Sequence, residues 1–85
     1  MAPYRILFKR SVAKDLSGIP RPQVLLILER IQSLAQDPRP RGCEKLSGLA
    51  RYRLRHASYR IIYEISDDEV VVLVVKIGHR SHVYR

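Results

Sequence analysis

Side chains that can meet a phosphate are concentrated in the last third of the chain, and they are spaced by twos. In the run RYRLRH, Arg53 and Arg55 share one parity while Tyr52 and Leu54 share the other. In SYRIIYEI, Arg60, Ile62 and Glu64 alternate with Tyr59, Ile61, Tyr63 and Ile65. Successive side chains of a strand point to opposite faces. Each run therefore has an apolar face and a face carrying guanidinium. Arginine pairs with phosphate through a planar fork and keeps its charge at any ordinary pH. Arg53, Arg55 and Arg60 on matching faces of neighbouring strands repel one another unless an anion lies between them, although solvent weakens that repulsion. The chemistry this points to is phosphate contact; the plainer alternative is three solvent-facing strand residues. Glu64 lies on the Arg60 side. It is either an ion-pair partner or a base, and the structural role is the commoner one.

A second group follows a strand. Residues 70–77 are apolar on both parities until Lys76, which predicts a central strand covered on both faces. Directly after it, His79, Arg80, His82, Tyr84 and Arg85 crowd into the tail GHRSHVYR. A rigid strand is a good base from which to present active residues; a frayed terminus is the alternative. His79 and His82 have no carboxylate near them in sequence and Cys43 is distant, so no metal site is expected. Nucleotide fingerprints, glycine-rich phosphate loops and nucleophile elbows are missing, and no cofactor is expected.

Other elements must position these residues. Residues 4–9 alternate weakly and read as a first strand. Ser11 suits the start of a short helix through residue 16, with Gly18 ending it. Pro20 and Pro22 form a hinge, and Pro22 suits the first turn of the next helix. Val24, Ile27, Leu28, Ile31, Leu34 and Ala35 then make one helical stripe, predicting a helix over 22–36 that covers the apolar sheet face. The segment 37–42, rich in proline and arginine, stops it. Turns at 56–58 and 66–69 join three strands into an antiparallel meander. The expected fold is α+β, ordered β-α-α-β-β-β, as one domain over 1–85. Two N-terminal helices pack on one face of a small sheet, and the other face is left for function. Tyr59 and Tyr63 are expected in the core with Ile61, Val72 and Val74.

Charge narrows the function. Sixteen Lys and Arg, mostly Arg, against eight Asp and Glu give +8 and a pI near 10.3. Nucleic acid or an acidic protein is the natural partner of such a surface. The one cysteine, Cys43, allows no intramolecular disulfide. The N-terminal apolar run is broken by charge, unlike a signal peptide. No apolar run approaches the ~20 residues of a membrane helix, so a cytoplasmic protein is expected.

Four segments in order carry a family likeness: Leu46-Ser47-Gly48, YRLR at 52–55, SYRIIYEI at 58–65, and the valine-rich strand leading into KIGHRSHVYR. From near residue 4 to its end the chain resembles the RelE/ParE superfamily of bacterial toxins of type II toxin–antitoxin systems, the RelE-like branch in particular. The resemblance implies a ribosome-dependent mRNA endoribonuclease that enters the A site. It also implies neutralisation by a cognate antitoxin, with operator DNA reached only through the toxin–antitoxin complex. Arg60 matches the family's catalytic arginine, Arg80 the arginine after the final strand, and Tyr84 the terminal tyrosine. Arg53 and Arg55 stand where this branch holds RNA phosphate, and Lys45 and Lys76 complete the expected RNA-binding set. In such a reaction the RNA's own 2′-OH attacks the adjacent phosphate without metal or water. Arg60 and Arg80 suit stabilisation of the transition-state charge. Tyr84 can act as base if neighbouring cations lower its pKa from ~10; His82, with an ordinary value near ~6.5, is the alternative. Two other functions stay open: a ParE-like inhibitor of DNA gyrase without RNase activity, and an inactive module that binds RNA or antitoxin.

Overall fold

The computed structural model describes residues 3–46, 48 and 50–79. Strand β1 (Arg5–Phe8) precedes helix α1 (Val12–Ser17) and helix α2 (Arg21–Gln32), which tightens into a 3-10 turn at Ser33–Ala35. Strands β2 (Glu44–Lys45), β3 (Arg51–His56), β4 (Tyr59–Ser66) and β5 (Val71–His79) follow. Their order across the sheet is β1-β5-β4-β3-β2. The expected meander is β3-β4-β5, antiparallel throughout. β1 joins it parallel to β5, in register from Arg5 opposite Val71 to Phe8 opposite Val74, so the five-stranded sheet is mixed. The two-residue β2, absent from the sequence reading, pairs antiparallel with β3.

Local chemistry sets the helix ends. Gly18 closes α1, its N–H bonding the Asp15 carbonyl while the Ile19 N–H bonds that of Leu16, and proline occupies the first turn of α2 where a missing N–H costs nothing. The Ser11 side chain makes no capping bond. Ile27, Ile31 and Leu34 are fully buried against Leu54, Ile61, Tyr63, Val72 and Val74. Each such side chain contributes roughly 1.5–3 kcal/mol by leaving water. Val24, Leu28 and Tyr59, expected in the core, are half-buried at its margin.

The loop after α2 is pinned rather than loose. Tyr63 donates its hydroxyl hydrogen to the Pro38 carbonyl at 2.8 Å inside the core. Arg39 lies 5.3 Å over the Tyr52 ring, which stacks on Tyr63. The Arg39 fork donates to both oxygens of Asp67, at 3.2 and 2.9 Å, and Tyr4 donates to the same carboxylate at 2.7 Å. The Arg39 bonds, and then the Tyr4 bond, hold the Asp67 carboxyl below its ordinary range. That stabilisation is present above about pH 3.9 and is lost as pH falls further.

Two features of β5 differ from a simple strand. It lies inside the sheet as expected, yet among the described residues helices cover only one of its faces. The other carries a small cluster of Ile62 and Val75 with Leu46 and Leu73 beside it. In addition, Ile62 faces Lys76 while Tyr63 faces Val74, so Val75 is an extra residue, a bulge. Past the bulge the alternation reverses. Ile77 turns into the core, and Gly78 comes to lie opposite Arg60.

The turn into β5 places Val70 at φ 56°, a left-handed conformation that a β-branched side chain adopts at a cost of roughly 1–2 kcal/mol. Asparagine tolerates that region. Val70→Asn is expected to raise the melting temperature by about 4–8 °C, the equivalent of about 1 kcal/mol in a domain of this size. An unchanged or lower melting temperature would show that the half-buried Val70 side chain matters more than its backbone.

Candidate nucleic-acid interface

The helix-free face of β3 and β4 gathers the predicted arginines. Leu54 and Ile61 point into the core, so their neighbours Arg55 and Arg60 point out on the opposite side. Arg55 and Arg60 are direct cross-strand partners. Their Cα atoms are therefore about 4.5–5.5 Å apart. Arg53 lies two residues along β3 on the same face, opposite Ile62. Arg60 has Arg55 on one side and Gly78 on the other.

One carboxylate tempers this cluster. Glu44, on β2 opposite Arg53, accepts from Arg53 Nε and Nη2 at 3.2 and 3.1 Å, and lies 3.8 Å from Arg55 Nε. The Arg53 side chain is 21% exposed and that of Arg55 59%, so Arg53 is held and Arg55 is reachable. Neither pair is worth more than about 1 kcal/mol at such exposure, which a phosphate can readily displace. Glu64 pairs with Arg51 at 2.8 Å across β3 and β4, the structural role expected for it.

The two lysines stand apart from the arginines. Lys45 is exposed on β2 but is the partner of Tyr52, whose face is that of the core. Lys76 pairs with Asp15 of α1 at 3.5 Å. Arg80, His82 and Tyr84 lie outside the described residues. Sequence reasoning missed Glu44, because a strand of two residues has no readable alternation.

It also missed Asp15. β1 covers the edge of β5 only as far as Val74, where the Lys9 N–H still bonds the Val74 carbonyl. Beyond that point Asp15 replaces the strand, accepting the Ile77 N–H at 3.1 Å. Its side chain is 16% exposed. Asp15→Ala is expected to remove protection of the Ile77 amide from hydrogen exchange, while Asp15→Asn, which keeps an acceptor, preserves it. Equal loss in both variants would assign the effect to the Lys76 pair instead.

A two-helix layer over a mixed sheet, with arginines converging on its bare face, is the arrangement that known proteins can be compared with. The family model described as the ParE toxin of the type II toxin–antitoxin system, parDE, matches residues 6–84. The chain belongs to this family. It is a toxin of the RelE/ParE superfamily. It is 28% identical over 86 residues to toxin RelG of Mycobacterium tuberculosis, covering 98% of both chains. It is 33% identical over 61 residues to the mRNA interferase toxin RelE of Escherichia coli, covering 66% of this chain and 63% of that one. In structure this toxin superposes with a TM-score of 0.83 on a chain of the archaeal RelE–RelB complex from Pyrococcus horikoshii, at 29% identity, covering 95% of this chain and 99% of that one. Among the described residues of the toxin, no helix is long and apolar enough to cross a membrane.

Proposed function

We propose that this toxin is a ribosome-dependent mRNA endoribonuclease. The observation that carries the reading is the direct pairing of Arg55 with Arg60 on the helix-free face, with Arg53 alongside. A phosphodiester is the ligand that answers such a row. The mRNA interferase named among its relatives supports the same reading.

The chemistry needs only the RNA and these side chains. The 2′-oxygen attacks the adjacent phosphorus and gives its proton to Tyr84 or His82. The P–O5′ bond breaks, leaving a 2′,3′-cyclic phosphate and a 5′-oxygen that takes up a proton. Arg60 and Arg80 stabilise the extra negative charge of the transition state, the contribution for which preorganised cations are best suited. Arg53 and Arg55 hold flanking phosphates.

The partners that follow are the ribosomal A site with its mRNA, and a cognate antitoxin in the same cytoplasm. The RelB–RelE complex among the similar structures supports the antitoxin. Excess positive charge predicts an acidic antitoxin surface whose affinity falls as salt rises. The ParE name of the matching family favours one second reading, poisoning of DNA gyrase. Primer extension on translated mRNA, run beside a gyrase cleavage assay, decides between them. Discrete codon-phased cuts in mRNA support the endoribonuclease. Gyrase-linked breaks in DNA without mRNA cuts support the second reading, and neither product leaves an inactive binding module.

A further inference from the structure

A second cationic hollow opens around the β2–β3 edge from Arg60. β2 matches β3 only at Glu44 opposite Arg53 and Lys45 opposite Tyr52. The preceding residues turn away instead of continuing the ladder. The Cys43 N–H bonds the Pro40 carbonyl at 3.1 Å, and Gly42 at φ 94° holds the third place of that turn, where a positive φ is required. Arg41 thus stands at the corner of the turn, and the last turn of α2 brings Arg30 beside it. The gap left between turn, helix and strand is a cavity of about 490 Å³. Leu54 and Cys43 line it together with Arg30, Arg41, Arg55 and Glu44.

Its charge is unbalanced. Three guanidinium groups meet one carboxylate, and that carboxylate is already bound to Arg53. Neither Arg30 nor Arg41 has an ion-pair partner among the described residues. A cation in the last turn of a helix commonly offsets the helix dipole. That accounts for Arg30 alone, and not for its convergence with Arg41 from a separate loop on one hollow. The volume lies within the ~300–1,000 Å³ of small-molecule sites, enough for a nucleotide unit. Arg55 belongs both to this cavity and to the row containing Arg60.

We infer that the cavity is a second RNA-phosphate subsite, held by Arg30 and Arg41 and joined through Arg55 to the row at Arg60. RNA would then follow the sheet face and turn around the β2–β3 edge. The inference rests on the endoribonuclease reading and adds two residues and a path to it.

The test is the salt dependence of binding by Arg30→Ala, Arg41→Ala and the double variant, each checked by thermal melting. Neither side chain has an ion-pair partner among the described residues, so melting should stay within about 0.5 kcal/mol of the parent. Two probes are used: a short single-stranded RNA carrying a 2′-deoxy block at the scissile position, and vacant ribosomes. Each lost phosphate contact is expected to flatten the plot of log affinity against log salt by about 0.7 for single-stranded RNA. Loss with the short RNA assigns the subsite to mRNA, and loss with ribosomes alone assigns it to ribosomal RNA; both support an RNA-phosphate site. A double variant whose affinity and slope match a binding parent overturns the subsite. So does a loss seen only against an acidic antitoxin, which would make the hollow a protein contact. A parent that binds neither probe overturns the endoribonuclease reading and the subsite with it.

Discussion

Arg60→Ala should lower the single-turnover rate of mRNA cleavage on the ribosome by at least ~100-fold, the effect of removing one preorganised donor to a developing negative charge. The argument is positional. Arg60 stands on an interior strand, half-buried, with Arg55 on one side and Gly78 on the other. A residue fixed on a strand inside a sheet loses little freedom on meeting the transition state. Ribosome affinity should fall much less, because in the proposed site Arg53 and Arg55 would still hold flanking phosphates. Arg55→Ala should behave in reverse, weakening binding more than chemistry and more so at high salt. Arg80→Ala is expected to resemble Arg60→Ala in rate, and Tyr84→Phe asks whether the base is Tyr84 or His82. An Arg60→Ala variant that remains folded and cuts at the parent rate would remove Arg60 from the chemistry.

Tyr63 should be the most sensitive position for stability. It is fully buried at the centre of the sheet, and its hydroxyl anchors the loop after α2 at the Pro38 carbonyl. Tyr63→Phe leaves that buried carbonyl unpaired, a loss of about 1–3 kcal/mol. Tyr63→Ala removes the ring as well and should cost about 3–5 kcal/mol. A domain of this length has roughly 4–13 kcal/mol in total, so the alanine variant approaches unfolding. Burial pushes the Tyr63 phenol well above its ordinary range, with the neighbouring Cys43 adding to the effect. A raised phenol favours the folded state fully at low pH, and that contribution is lost as pH climbs past about 10, where the unfolded phenol ionises. Denaturant midpoints measured from pH 8 to 12 should fall more steeply for the parent than for Tyr63→Phe. Parallel profiles would mean that Tyr63 does not govern the alkaline limit.

The alternation at 52–55 and 59–65 was legible because one face of each strand is buried, and burial forces the parity of every side chain. It correctly put Arg53, Arg55 and Arg60 on one surface and Tyr63 on the other. The helical stripe was legible for the same reason, although Val24 and Leu28 reach only the margin of the core. What could not be read depends on contacts distant in sequence. The parallel pairing of β1 with β5 spans nearly the whole chain. Glu44 acquires its role only because β2 pairs with β3. Asp15 acquires its role only because β1 stops short of Ile77. Nothing periodic marks Val75 as the extra residue, since both parities of that strand are apolar.

That extra residue has a consequence for how such a gene can change. Deleting one codon at Val75 would leave β4 and β5 able to pair along their full length. It would also keep every remaining residue on its present face, because Val74 already pairs with Tyr63, Lys76 with Ile62, Ile77 with Ile61 and Gly78 with Arg60. What would change is the local twist, which a bulge increases. A single-codon deletion there can therefore retain both the architecture and the surface on which Arg60 stands. Among kindred toxins, a one-residue gap at this point of the final strand is thus compatible with unchanged placement of the flanking side chains.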